Sequence, residues 1–296
     1  MSVVLLCPGQ GQLPRELGEL VRAAGDDLAA AYEARLGPGA LDDPLADYAR
    51  QQAALVAIGI GRVRRAQTLL AEPVHAATYG PVIAVAGHSL GELTALYAAG
   101  ALTAAATIDL AADRGQAFQQ GRTPAWDDAG MLALSGPTVH DHIADLLTRH
   151  GAELANDNAT DQVVAVGPTD ALSALAADAR TLGLRAVRLE TTGPSHSSYM
   201  QAVVAPLTDA IRAASLSAPN IPYWSGLTAK RATDAAVEIG QLVACQVRWR
   251  ETLLDLAALR PSHFFDIGPG GAMARLARKT VPEIPAHTLD ELEGTP

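Results

Sequence analysis

The residue types and spacing that could do chemistry are concentrated at Gly87-His88-Ser89-Leu90-Gly91. There an apolar run (Val82, Ile83, Ala84, Val85, Ala86) breaks, and a helical pattern begins with Leu93, Leu96 and Tyr97 on one face. Strand, sharp turn and helix in that order lift a serine hydroxyl clear of the backbone, between glycines that leave room for the turn and ahead of a helix N-terminus. Ser89 is therefore the candidate nucleophile. At neutral pH it needs a base within hydrogen-bond reach and donors for the oxyanion that forms on attack. His196, just past the turn set by Gly193 and Pro194, is the candidate base; His75, His140, His142, His150, His263 and His287 lie in helix, turn or tail settings with no motif. One oxyanion donor is the main-chain N–H of Leu90. The natural second is that of Gln10, in the glycine-rich loop Pro8-Gly9-Gln10-Gly11-Gln12, where glycine permits close backbone approach.

These groups need a scaffold, and hydrophobic periodicity sketches it. Ser2 to Cys7 reads as a strand, Leu13 to Leu36 as helical with polar breaks, and Tyr48 to Leu70 as a long helix. Beyond the serine turn, Ala98 to Gln120 continues helical and carries Arg114, which by itself reads as a partner for a nearby acid. Strands at Met131–Leu134, Glu153–Asn156, Val163–Val166 and Ala186–Leu189 enclose helices at Val139–His150 and Ala171–Leu182. The order β-α-β-β-α-β predicts a ferredoxin-like small subdomain over 129–192, inserted into a larger unit formed by 1–128 and 193–296. A helix over Gln201–Ala214, a strand over Ile221–Ser225 and a helical region over Val237–Leu256, broken near Cys245, follow. Next come a strand over His263–Ile267, the turn Gly268-Pro269-Gly270-Gly271 and a helix over Ala272–Arg278. Glu283 to Pro296 reads as an acidic, loosely held end.

Composition narrows the classes. With 296 residues, 49% of them hydrophobic, the chain can bury a large core. No apolar run approaches the ~18–20 residues that span a bilayer, and Met1 to Cys7 lacks a basic n-region and a long h-region, so a cytoplasmic protein is expected. Cys7 and Cys245 read as buried thiols of a reducing compartment, and no metal-binding cluster is visible. A net charge of −10 argues against nucleic acid as a partner. Lys230 and Lys279 are the only lysines, so an anionic ligand would be held by arginine, whose planar fork suits carboxylates.

Several separate stretches point one way when taken together: PGQGQ at 8–12, GHSLGE at 87–92, DRG around Arg114, GMLAL at 130–134, LANDNATDQVVAVG at 154–167, GPSH at 193–196, VRW at 247–249 and DIGPGG at 266–271. In order and spacing they resemble the malonyl-CoA:acyl carrier protein transacylase family over nearly the whole chain. The resemblance implies an α/β fold, with an α/β-hydrolase-like core built on a parallel sheet and a ferredoxin-like small subdomain. It implies that Ser89 takes the acyl group from malonyl-CoA with His196 as base, and that the phosphopantetheine thiol of an acyl carrier protein then attacks the malonyl-serine. The oxyanion would sit between the N–H groups of Gln10 and Leu90, and Arg114 would hold the free carboxylate of malonate. A main-chain carbonyl near Gln241 or Leu242, in place of an acidic side chain, would orient the histidine. No cofactor is implied. Fatty-acid synthesis, polyketide synthesis and malonate decarboxylation all use such a subunit.

A serine esterase or thioesterase on the same turn is the alternative, since that class usually places an acid between serine and histidine in chain order and Asp109, Asp113, Asp157 and Asp161 lie there. A docking module with a vestigial site is a third. The carrier partner is expected to be acidic, so a local basic patch is predicted near the cleft, drawn from Arg62, Arg64, Arg65, Arg275 and Arg278.

Overall fold

Alternate residues of the first strand enter different cores: Val3, Leu5 and Cys7 join one hydrophobic cluster, Val4 and Leu6 another. A strand buried on both faces is what its unbroken apolar run requires. In the computed structural model, which describes residues 1–11, 13–190 and 193–294, this strand, β1 (Val3–Cys7), lies near the centre of a six-stranded sheet. β2 (Val82–Gly87) pairs with it in parallel on one side. The remaining strands are β3 (Ala129–Ser135), β4 (Glu153–Ala159), β5 (Gln162–Pro168), β6 (Arg185–Leu189), β7 (Tyr223–Ser225), β8 (Lys230–Arg231), β9 (His263–Asp266) and β10 (Ala286–Thr288). The large sheet runs β10-β9-β1-β2-β7-β8, parallel throughout except for the β7–β8 pair. Helices Tyr48–Ala71, Gly91–Ala98 and Ala104–Gln120 pack on one face, and helices Trp249–Ala257 and Ala272–Thr280 on the other.

The second sheet is antiparallel, in the order β4-β5-β3-β6. Ile143 and Leu146 of the helix Val139–His150, and Leu172, Leu175 and Ala179 of the helix Thr169–Thr181, pack on its Leu132, Leu134, Val163 and Ala165 face. Its edge strand β4 is tied to the larger sheet's side. Asp157 N donates to Val247 O at 2.9 Å, Val247 N donates to Ala155 O at 2.9 Å, and the buried Asp157 carboxylate pairs with Arg250 at 2.8 Å.

Three expectations are corrected. The helix expected to continue from Ala98 to Gln120 stops at Ala98, because Gly100 takes the left-handed conformation (φ 77°), and restarts at Ala104 under a Thr103 cap that accepts from Ala106 N at 3.2 Å. The loosely held end is instead structured as far as Glu293. β10 extends the sheet beside β9, and the following helix Leu289–Glu293 carries a Thr288/Glu291 capping box with Leu289 and Leu292 buried. Two buried leucines anchor it, which the acidic composition hid. Cys245, expected to be buried like Cys7, is exposed, in the turn between the helices Ala235–Leu242 and Trp249–Ala257. Among the described residues no helix is long and apolar enough to cross a membrane, and no group of side chains is arranged to hold a metal ion.

Candidate active site

Ser89 sits where β2 ends, with φ at 55°. Only a tightly over-determined turn holds a non-glycine residue there. His88 N extends the ladder to Cys7 O at 2.9 Å, and Gly91 N and Glu92 N close the turn onto His88 O and Ser89 O. The flanking glycines are a packing requirement. A Cβ on Gly91 would lie 2.4 Å from both Cys7 O and Pro8 O, and one on Gly87 would lie 2.3 Å from Glu92 N. The same closeness presses the loop after β1 against the nucleophile, since a Cβ on Gly9 would be 2.8 Å from His88 O and 3.5 Å from Ser89 Cβ. Gln10 and Leu90 both line a cavity of about 350 Å³ whose lining does not include Ser89, His196 or Arg114. Leu90 opens the helix Gly91–Ala98, where main-chain N–H groups lack partners within the helix. Gln12 of this loop lies outside the described residues, as do Thr191 and Thr192 ahead of the histidine turn.

His196 arrives from the far side, also left-handed at φ 65°. Its N–H donates to Val243 O at 2.7 Å, and Ser197 Oγ donates back to Pro194 O, so the turn is pinned at both ends. Nδ1 donates to Leu242 O at 2.8 Å; this places the ring proton on Nδ1 and leaves the Nε2 lone pair facing Ser89 Oγ at 2.7 Å. The serine therefore donates to the imidazole. Burial pushes the His196 pKa down to about 3, against the pull of the Leu242 carbonyl and with help from the Arg114 and His88 charges. The ring is neutral at pH 7, as a base must be.

None of the four aspartates named from the sequence reaches that ring. Asp109 and Asp113 face Arg35, Asp157 pairs with Arg250, and Asp161 pairs with Lys279. The acid-assisted hydrolase arrangement is therefore not assembled. The carbonyl of Leu242 holds the position that the acid would fill.

Arg114 is not on the helix surface. It is 4% exposed, and its guanidinium lies 4.4 Å over the Phe118 ring and donates to Gln52 Oε1 at 2.7 Å. Burial lowers its pKa to about 10, and among the described residues it makes no ion pair. The carboxyl its charge feels is Glu92, itself driven up to about 8 by burial and thus largely uncharged at pH 7. A buried cation without an ion pair, whose charge reaches the His196 imidazole, is a place for an anion. Gln52 was not singled out by its sequence, although a glutamine on the buried side of an alanine-rich helix was the available signal. Its Nε2 is also buried and has no acceptor.

The glycine turn at 268–271 opens a helix, but Asp266 already occupies that end, accepting from Gly268 N, Met273 N and Ala274 N at 2.7–3.1 Å. It is a plain strand-to-helix turn. The expected basic patch is largely neutralised: Arg62 pairs with Asp290, Arg64 with Asp27, Arg65 with Glu293 and Arg278 with Glu291, while Arg275 bonds Gly270 O.

With this geometry in view, comparison with known proteins gives a consistent result. The family model described as the acyl transferase domain matches residues 47–292. A malonyl CoA-acyl carrier protein transacylase of Mycobacterium tuberculosis (strain ATCC 25618 / H37Rv) is 30% identical over 98% of this chain and 99% of its own. The protein of that name from Synechocystis is 28% identical over 71% of this chain and 70% of its own. Among solved structures, an acyl-carrier-protein-S-malonyltransferase from Bartonella henselae superposes with a TM-score of 0.81 at 28% identity, covering 99% of this chain and 98% of that one.

Proposed function

The chain belongs to the acyl transferase domain family, and from that premise we propose that Ser89, His196 and Arg114 transfer a malonyl group from malonyl-CoA to the phosphopantetheine thiol of an acyl carrier protein. The enzyme is an acyltransferase serving fatty-acid or polyketide synthesis. The observation that carries the malonyl assignment is the buried Arg114 guanidinium, which among the described residues makes no ion pair.

Ser89 Oγ attacks the thioester carbonyl as its proton passes to His196 Nε2. The developing oxyanion is taken by the N–H groups of Gln10 and Leu90. Collapse of the tetrahedral intermediate breaks the C–S bond, and His196 returns the proton to the leaving CoA sulfur. In the second half, the carrier thiol gives its proton to His196 and attacks the malonyl-serine, and the proton then returns to Ser89 Oγ. Malonate's free carboxylate stays on Arg114 throughout, with the spare Gln52 amide as a second donor. A carbonyl behind His196 stabilises the imidazolium less than a carboxylate would, and a thiolate leaving group demands less of it.

The same reading makes the larger sheet an α/β-hydrolase-like core over 1–128 and 193–296 and the antiparallel sheet a ferredoxin-like subdomain over 129–192; the strand order β4-β5-β3-β6 with two helices on one face supports it. It requires no cofactor beyond the two thiol carriers, and a cytoplasmic setting suits them. Intact-mass measurement after brief exposure to malonyl-CoA tests the proposal: the malonyl increment should appear on the native chain and be absent from Ser89→Ala. A native chain that stays unmodified refutes it.

A further inference from the structure

β4 carries Asn156, Asp157 and Asn158, three consecutive buried polar residues on the sheet that does not hold the nucleophile. Polar side chains are buried at a loss unless bonded, so their partners reveal what they do. Asp157 takes Arg250. Asn158 Oδ1 accepts from His88 Nε2 at 2.9 Å, and its Nδ2 donates to Gln162 Oε1 at 3.3 Å. His88 immediately precedes Ser89, its N–H is bonded to Cys7 O, and its ring stands edge-on to Trp249 with centroids 5.4 Å apart.

An amide oxygen only accepts, so the bond keeps the His88 proton on Nε2 and leaves Nδ1 bare toward Gly9, where a Cβ would come within 3.3 Å. We infer that Asn158 is a positioning residue for acyl transfer: acting through His88, it fixes the turn that presents Ser89 and sets the Nε2–H tautomer of the neighbouring imidazole. This rests on the acyl-transfer reading above. The charge of His88, which its burial opposes, matters because His196 must accept a proton during attack and a positive His88 would bear against that. The titratable groups around His88 offer no counter-charge. His196 is neutral, the Cys7 thiol is kept protonated by burial, and Asp157 is spent on Arg250. Burial likewise lowers the His88 pKa, with the Asn158 bond opposing it.

Two variants test the inference. Asn158→Asp keeps an acceptor against Nε2 but adds a negative charge, so imidazole ¹⁵N spectra of the free protein should show the His88 titration moved upward. The single-turnover rate of Ser89 acylation by malonyl-CoA should fall about tenfold on the acid side of that titration and recover above it. Asn158→Leu should release the Nε2–H tautomer and slow acylation at every pH while the melting temperature stays within a few degrees of the native value. An unmoved His88 titration, a pH–rate profile identical to the native one, or an Asn158→Asp loss with no recovery at high pH overturns the role. Failure of the native chain to acylate would overturn the acyl-transfer reading instead, and the spectra would still decide the His88–Asn158 coupling.

Discussion

The Oε1 of Gln52 accepts from Arg114 Nη1 at 2.7 Å, and both side chains are buried. Sixty-two residues separate them in the chain. The contact aims a guanidinium without using it up, and the amide Nε2 of Gln52 is buried with no hydrogen-bond partner among the described residues.

Arg114→Ala should therefore lower kcat/KM for malonyl-CoA and spare or improve transfer of a neutral group such as acetyl. Hydrogen bonds to a charged group contribute about 1.5–3 kcal/mol, so the malonyl-to-acetyl preference should shrink by about ten- to 150-fold. Gln52→Leu should move it in the same direction by less. Steady-state kinetics with both thioesters measure this, and an equal loss for the two substrates would refute the role of Arg114.

Replacing the base should act on chemistry alone. His196→Ala should slow acylation by about 10²–10⁴-fold with little change in CoA binding. Quenched-flow acylation against a CoA-binding isotherm separates the two effects.

The same histidine makes stability depend on pH in a defined direction. Its folded pKa, about 3, lies below the ordinary value of 6.5. Between those values the unfolded chain binds the proton and the folded chain does not, so stability rises with pH across this window and is lost as pH falls through it. His196→Gln should flatten that slope in urea denaturation series from pH 4 to 7.

Glu92 works in the opposite sense. Burial raises its pKa from 4.5 to about 8, opposed by the Gly226 N–H (2.7 Å), the nearby Tyr223 and the Arg114 charge. Between those values the folded chain keeps a proton that the unfolded chain has lost, so its contribution declines as pH rises. Glu92→Gln should gain on the native chain between pH 5 and pH 8, and a constant difference across that range would show that the carboxyl is ionised in the fold.

Gly91→Ala should destabilise by about 1–3 kcal/mol, because its methyl would meet main-chain oxygens of Cys7 and Pro8, which have no rotamer to escape into. Thermal unfolding of the variant checks it. A melting temperature within a degree of the native value would mean that the two loops are looser than their packing indicates.

Much was legible in the sequence wherever a property is carried by neighbours along the chain. The apolar run into Gly87-His88-Ser89 determined strand, elbow and helix, because steric limits on φ and ψ act between adjacent residues; the positions of β3 to β6 followed from periodicity in the same way. Family motifs added which histidine and which arginine to watch. What only the tertiary structure decided were relations between distant residues. It brought Ser89 and His196 to 2.7 Å across 107 positions, gave the histidine the Leu242 carbonyl in preference to any aspartate, and turned Arg114 inward onto Gln52. It also hid the last helix's leucines and paired four of the five arginines of the predicted patch with acids. Whether a charge is free or paired, and whether a carboxyl or imidazole is charged at all, depends on what burial places around it, and chain order does not encode that environment.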